Sequence, residues 1–228
     1  MLFVKDTTIK IVVNEIYNRI KQYQRFLITT HVRADGDGIG SEIALYHALT
    51  GMGKSVCNVN DSPIPQIYKF IIPDTGMCIY PEVSHDVAEV VFTLDSPTLE
   101  RLGKIQEIIP KDAIIINIDH HISNEYFGNI NWVADDVCAT GEIILALLKE
   151  ANVDITPDIA TALYVSIVTD TGRFTHSNTT SEALRAAAFL IERGARHTEI
   201  SKNVYNTNPF NLTQLHAHVL HTIKLHVG

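Results

Sequence analysis

The pattern of apolar positions divides the chain into a first half that alternates helices with short strands and a second half that is mainly helical. Apolar residues at helical spacing predict an amphipathic helix over residues 8–24, and a second helical pattern follows the loop at 31–41. Four short apolar runs predict strands at 25–30, 55–59, 87–94 and 113–118. Because strands alternate with helices, we expect an α/β fold with a mostly parallel sheet flanked by helices.

The remaining segments are predicted to be mostly helical. A helix is expected from residue 97 or 98 to residue 109, whereas 61–81, a stretch rich in proline, is expected to be irregular with one short helix. After residue 138 the chain shows helical periodicity at 139–151, 157–170, 180–193 and 209–226. We therefore expect a helical C-terminal part that packs helix on helix.

Acidic and imidazole side chains follow three of the four predicted strands. They are His31, Asp35 and Asp37 after the first strand, Asp95 after the third, and Asp119, His120 and His121 after the fourth. Because ligands of parallel α/β sheets gather at the carboxyl ends of the strands, we expect these seven residues to converge. Asp170, which closes an apolar helical stretch, is an eighth candidate, and a helix-end cap is its alternative role.

This residue set predicts a divalent metal site. Several carboxylates at close range repel one another unless cations lie between them. Mixed carboxylate and imidazole ligands suit Mn²⁺ and similar ions, and a shared carboxylate such as Asp95 can bridge two of them. The net charge of −8 argues against a surface that grips nucleic acid by its own charge, so metal ions would have to supply the positive charge for work on phosphates.

Several other residues are weaker candidates for contact with a phosphate. Gly40 and Ser41 are expected in the first turn of a helix, where free backbone N–H groups could meet a phosphate oxygen. Arg101 and Arg173 are candidates for the same contact, with a structural ion pair as the alternative for each. Trp132 could stack on a base, although a core position is the better interpretation.

Composition and cysteine usage predict the compartment. The three cysteines form no C-x-x-C pair, and no secretory segment begins the chain, so we expect a reduced, cytoplasmic protein. The apolar runs are too short to span a bilayer. Apolar stripes on helices 8–24 and 209–226 are compatible with a homodimer.

At the residues named above, the chain resembles the DHH phosphoesterase superfamily. Four motifs of that superfamily occur in order: H-V-R-A-D-G-D-G-I-G-S at 31–41, T-L-D at 93–95, D-H-H at 119–121 and V-T-D-T-G-R-F at 168–174. Within the superfamily the chain is most similar to the branch of bifunctional oligoribonucleases and phosphatases of 3′-phosphoadenosine-5′-phosphate (pAp), often called exopolyphosphatase-related. The stretches 129–143 and 174–195 carry this second resemblance.

The resemblance implies a phosphoesterase with two Mn²⁺ ions, active on short oligonucleotides and pAp, in which a bridging hydroxide attacks phosphorus. One ion would take His31, Asp35 and Asp95, and the other Asp37, Asp95, His120 and Asp170. The catalytic residues would be His121, Asp95 and Asp119. Among these, His121 is expected to contact the substrate phosphate, and Asp119 to orient a ligand histidine.

The resemblance also implies a domain division and leaves alternative functions open. Residues 1–208 would form the catalytic domain, and 209–228 an interdomain helix leading toward a C-terminal substrate-binding domain whose Gly-Gly-Gly-His motif this sequence lacks. The alternatives within the superfamily are an inorganic pyrophosphatase or exopolyphosphatase and a RecJ-like exonuclease. An alternative of another class is a non-catalytic, metal-stabilised module that binds nucleotides.

Overall fold

A computed structural model describes residues 7–80, 88–207 and 209–224, and a six-stranded, wholly parallel sheet is its centre. The strands are β1 Arg25–Thr30, β2 Ser55–Asn60, β3 Met77–Ile79, β4 Val90–Leu94, β5 Ile114–Asp119 and β6 Ile130–Val133. Their order in the sheet is β3-β2-β1-β4-β5-β6. This sheet, with its flanking helices, confirms the predicted α/β fold.

Seven α-helices accompany the sheet in the described part of the chain. They are α1 Thr7–Gln22, α2 Gly36–Gly51, α3 Thr140–Glu150, α4 Pro157–Asp170, α5 Ser181–Glu192, α6 His197–Ile200 and α7 Phe210–His221. Two 3₁₀ segments, Gln66–Ile71 and Leu99–Glu107, lie between strands, and the π-helical turn Ser201–Tyr205 follows α6. The predicted helical second half is therefore confirmed.

The strands form two cores because their side chains alternate between the two faces of the sheet. Phe26, Ile28 and Phe92 belong to the large core that α2, α3 and α4 share with the sheet. Leu27 and Val91 belong to a smaller core on the other face, with residues of the Leu99–Glu107 segment. The helices on one side and the 3₁₀ segment on the other bury the central strands on both faces, which explains their nearly continuous apolar sequences.

Close packing between α2 and α4 brings three helices to the edge of the sheet where the strands end. A β-carbon at Gly40 would collide with the carbonyl oxygen of Ala162 and with Ser166, both on α4. A β-carbon at Gly141, in the first turn of α3, would likewise collide with Ser166. These two glycines therefore let the beginnings of α2 and α3 approach the same side of α4.

Three predictions of secondary structure need correction. The segment predicted as a helix over 97–109 is a 3₁₀ segment, interrupted at Gly103, whose φ of 59° is left-handed. Strands β3 and β6 were not predicted. The last helix ends at His221, and residues 225 and 226 of the predicted segment lie outside the described residues, as does Val87 at the start of the predicted third strand. Among the described helices, none has both the length and the apolar character needed to cross a bilayer.

Candidate metal and catalytic site

The predicted residues meet where the strand order of the sheet reverses. The chain moves from β1 outward to β3 and then returns to the other side of β1 as β4, so a crevice forms between the carboxyl ends of β1 and β4. In the register, Thr30 pairs with Leu94, and Leu94 pairs with Ile118. His31, Asp95 and Asp119 are the next residues on the three strands, and they therefore lie side by side.

Asp95 is the centre of the cluster. Its Oδ2 lies 3.5 Å from His31 Nε2, while its Oδ1 lies 3.6 Å from His120 Nε2. The side chain is only 2% exposed. Its two oxygens thus face two different groups of residues, which is the arrangement expected of a bridging carboxylate. The groups are called here the outer set (His31 and Asp35) and the inner set (Asp37, His120 and Asp170).

In the outer set, His31 presents Nε2 to the carboxylates. Its Nδ1 lies 2.8 Å from the carbonyl oxygen of Val32, to which it donates, and its Nε2 lies 3.9 Å from Asp35 Oδ1. Burial opposes the charged imidazole, but hydrogen bonds with Asp35 and Asp95 outweigh it and raise the pKa of His31 to about 10. Asp35 also caps α2, since its side chain accepts hydrogen bonds from the N–H groups of Asp37 and Gly38.

In the inner set, Asp37 is buried at the N-terminus of α3. Its oxygens accept hydrogen bonds from the backbone N–H groups of Thr140, at 2.7 Å, and Gly141, at 3.1 Å, and from the Ser166 hydroxyl. Burial, followed by the nearby charge of Asp95, raises the pKa of Asp37 to about 8. Ionisation of Asp37 is therefore disfavoured even with the His120 imidazole 3.5 Å away.

His120 joins the three inner carboxylates. Its Nε2 lies 3.5 Å from Asp37 Oδ2 and 4.0 Å from Asp170 Oδ2, in addition to its contact with Asp95. Burial opposes protonation of this ring, but the hydrogen bond with Asp95 and the surrounding negative charges raise its pKa to about 10. Asp170 stands at the last residue of α4 and accepts a hydrogen bond from Asn178 Nδ2 at 3.2 Å.

Asp119 and His121 form a hydrogen-bonded pair beside the two sets. His121 Nδ1 lies 2.7 Å from Asp119 Oδ1 and 3.6 Å from Asp95 Oδ1. Asp119 is fully buried, whereas the His121 side chain is 43% exposed. The expectation that Asp119 orients a ligand histidine therefore needs correction, because its partner is His121, the residue expected to contact the substrate.

The predicted phosphate contacts of Gly40 and Ser41 do not fit their positions. Helix α2 begins at Gly36, so both residues lie beyond its first turn and its free N–H groups. Both are buried, and the Ser41 hydroxyl donates to Asp37 Oδ1 at 3.4 Å. Ser41 therefore contributes to the surroundings of Asp37, and Gly40 to the packing against α4.

The structure also locates the weaker candidates. Among the described residues, neither Arg101 nor Arg173 forms an ion pair with a carboxylate. Arg101 Nη2 lies 3.2 Å from His31 Nδ1, and the Arg173 guanidinium lies over the Tyr205 ring. Trp132 is 5% exposed and belongs to the large core, so the core interpretation is confirmed.

Two polar residues near the site were not predicted. Glu42 is fully buried on α2, and one of its oxygens accepts a hydrogen bond from Asn60 at 2.8 Å. Asn124, in the loop after His121, donates to Asp119 Oδ2 at 2.7 Å. The sequence feature that could have indicated Asn124 is its position three residues after His121. For Glu42 the sequence offers only a charged residue within an apolar helix.

The donor atoms fit a divalent cation. Two groups bring their ligand atoms within 4.8 Å of one another: His31, Asp35 and Asp95, and Asp95, His120 and His121. Carboxylate oxygens and imidazole nitrogens suit Mn²⁺ and similar ions, and several carboxylates this close together repel one another unless cations lie between them. The arrangement can therefore hold metal beside the partly exposed side chains of Asp35 and His121.

Comparison with known proteins identifies a family and several relatives. Residues 25–167 match the family described as the DHH family, N-terminal domain. The chain is 34% identical over 201 residues to the bifunctional oligoribonuclease and PAP phosphatase NrnA of Thermus thermophilus, covering 88% of this chain and 60% of that protein. It is 28% identical over 218 residues to the protein of the same name from Bacillus subtilis, covering 92% of this chain and 66% of that protein.

A solved structure agrees with these matches. The exopolyphosphatase-related protein of Bacteroides fragilis superimposes with a TM-score of 0.89 at 26% identity, over 95% of this chain and 66% of that one. The chain thus spans about two thirds or less of the length of these relatives. The family match covers more than half of the chain and includes three of its four motifs. The chain belongs to the DHH family.

Proposed function

We propose that this chain is the catalytic part of a divalent-metal-dependent phosphoesterase that hydrolyses short oligonucleotides and pAp. The observation that carries the proposal is the position of Asp95, whose two oxygens face His31 on one side and His120 on the other. The names of the Thermus and Bacillus relatives supply the substrate class. The chain matches only part of these relatives, and we propose that residues 1–208 perform the chemistry while further substrate contacts lie elsewhere.

We assign two Mn²⁺ ions to the cluster. The outer ion would be held by His31, Asp35 and Asp95, and the inner ion by Asp37, Asp95, His120 and Asp170. When bound, such a pair of ions lowers the pKa of water and offsets the negative charge of the phosphoryl group. The protein fixes the ligands in advance: Val32 holds the tautomer of His31, and the first turn of α3 holds both oxygens of Asp37.

His121 is assigned the contact with the phosphate. Its ring is the most exposed of the three histidines in the cluster, and Asp119 holds its Nδ1, which leaves Nε2 available to a substrate oxygen. In that position a protonated imidazole donates a hydrogen bond to the phosphate or to the leaving oxygen. We propose this role for His121 and not for the buried Gly40 and Ser41.

Product analysis on pApA and pAp with Mn²⁺ tests the proposal. Wild-type protein should release AMP from both substrates. Asp95→Asn should lower turnover by about a thousandfold, equivalent to about 4 kcal/mol, because it removes the carboxylate shared by both sets. Asp154→Asn, at an exposed carboxylate paired with Arg193, is the matched control and should retain full activity. Turnover by a folded Asp95→Asn variant at the wild-type rate would overturn the assignment.

A further inference from the structure

A buried hydrogen-bond chain leads from the sheet to His121 and passes through Asn124. Asn124 is 8% exposed, and Asp119 and Asn117 are fully buried. Asn124 Nδ2 lies 2.7 Å from Asp119 Oδ2 and 2.8 Å from Asn117 Oδ1. Asp119 Oδ1 in turn accepts the hydrogen bond from His121 Nδ1 at 2.7 Å. Both oxygens of Asp119 are thus occupied, one by each neighbour.

The chain has only one consistent direction. Asn117 Nδ2 donates to Thr93 Oγ1 and to the carbonyl oxygen of Ser96, so Asn117 Oδ1 must act as the acceptor. The Asn124 Nδ2 group therefore donates to Asn117 and to Asp119, and it also lies 3.4 Å from the carbonyl oxygen of Ser96, while its own Oδ1 accepts from the backbone N–H of Tyr126 at 2.7 Å. Only an amide can both donate and accept in this way at position 124.

We propose that Asn124 is a positioning residue: acting through Asp119, it holds the His121 imidazole in the orientation that meets the phosphate. This inference rests on the proposed function. Without the Asn124 amide, the buried Asp119 carboxylate would lose the side-chain partner of its Oδ2 and could rotate. The partly exposed His121 would then lose the fixed acceptor of its Nδ1–H. With Asn124 in place, the Nδ1–H of His121 stays on Asp119 and its Nε2 points away from it.

A merely structural role makes a different prediction. If Asn124 served only to shape the loop after β5, its loss would lower stability or metal content without acting through His121. If it positions His121, its loss should lower kcat and should matter only while His121 is present. A double-mutant cycle separates these two cases.

The experiment compares Asn124→Ala, His121→Ala and the double variant in hydrolysis of pApA with Mn²⁺. Asn124→Ala should lower kcat about 10- to 100-fold, the usual range for partners of site residues, with KM and bound Mn²⁺ close to wild type. The double variant should be no slower than His121→Ala alone. Asn131→Ala is the control, because the hydrogen bonds of the Asn131 side chain within the described residues join Gly128, just before β6, and it should match wild type.

A second readout does not depend on turnover. In wild-type protein, nitrogen-detected NMR of the histidine side chains should show the Nδ1 of His121 protonated and hydrogen-bonded, and Asn124→Ala should remove that signature. The inference would be overturned if the losses in kcat of the two single variants multiplied in the double variant. It would also be overturned if Asn124→Ala left the His121 signal unchanged. If the wild-type protein is inactive but shows the His121 signature, and Asn124→Ala loses that signature, only the proposed function is overturned.

Discussion

Two aspartates at the start of α2, only two residues apart, have pKa values that are shifted in opposite directions. The Asp35 side chain is 58% exposed, whereas that of Asp37 is 1% exposed. Burial opposes ionisation of Asp35, but its hydrogen bond with His31 outweighs this and lowers the pKa. Burial and the Asp95 charge raise the pKa of Asp37 to about 8. The carboxylate of Asp35 therefore stays ionised beside His31, whereas ionisation of Asp37 is disfavoured even beside His120.

The start of α2 causes this difference. Asp35 is the N-cap and stays outside the helix, while Asp37 lies in the first turn and points inward to the N-terminus of α3. The partial positive charge of that helix end and two backbone N–H groups favour a carboxylate there, yet they do not offset its burial. Position relative to the helix start, and not residue type, therefore decides in which direction the pKa of each aspartate moves.

The distinction between Asp35 and Asp37 would fail if both contributed equally to metal binding. Asp37→Asn should remove one Mn²⁺ per chain, because the inner ion then has too little negative charge around it. Asp35→Asn should keep both ions at lower affinity, since its position is open to water. Metal analysis after gel filtration, with titration calorimetry for the affinities, measures both, and the same stoichiometry in the two variants would contradict the distinction.

Glu42 gives an independent test of the effect of burial on a carboxylate, because it is buried and lies outside both sets. Burial raises its pKa from 4.5 to about 8, and its Oε1 has no partner among the described residues. A raised folded-state pKa gives stability that is full below about pH 4.5 and is lost as pH rises through about 8. Glu42→Gln should remove this pH dependence of stability. The change in unfolding free energy between about pH 4.5 and pH 8 should therefore differ from that of wild type by a few kcal/mol.

Urea unfolding at pH 5 and pH 8, in EDTA and again in Mn²⁺, measures the Glu42 effect. The matched control is Glu199→Gln, at a half-exposed carboxylate paired with Arg196, which should leave the pH dependence unchanged. Parallel stability curves for wild type and Glu42→Gln would show that burial alone does not hold a proton at Glu42. The contrast between the two aspartates would then need another cause.

The smallest expected effect concerns the second role of Asp35. Its carboxylate caps α2 by accepting from the N–H groups of Asp37 and Gly38, so Asp35→Ala should cost about 1 kcal/mol of unfolding free energy. Asp35→Asn keeps a capping oxygen and should cost less. Urea unfolding in EDTA checks both variants without the contribution of metal. Equal losses would mean that the cap contributes little here.

The sequence predicted the fold well where strand and helix alternate, and failed where that alternation stops. Strands β1, β2, β4 and β5 follow apolar runs. The bounds of β1, β2 and β5 lie within one residue of the predicted ones, and β4 begins three residues later than predicted. Strand β6 pairs parallel with β5 after a loop that contains no helix, although parallel neighbours usually need a helical crossover. Strand β3 has three residues at the sheet edge, too few for a period of two to stand out.

The candidate site shows the same limit. Its acidic and imidazole residues could be predicted as a cluster because they follow strands, and parallel strands end at one edge. The partner of Asp119 could not be predicted, since it depends on which of two adjacent histidines turns toward it. The phosphate contact predicted for Gly40 and Ser41 failed because α2 begins at Gly36, which sequence periodicity does not locate to within a turn.

The backbone conformation of Asp95 also bears on thermal stability. Its φ of 52° is left-handed, a conformation that costs a residue with a β-carbon about 1 kcal/mol and costs glycine almost nothing. Glycine at this position would relieve that strain and also remove a buried carboxylate. Asp95→Gly would therefore relieve the strain but leave His31 and His120 without the carboxylate that they contact. An aspartate at this position thus carries a backbone strain that its contacts, and its proposed role as the shared ligand, would offset.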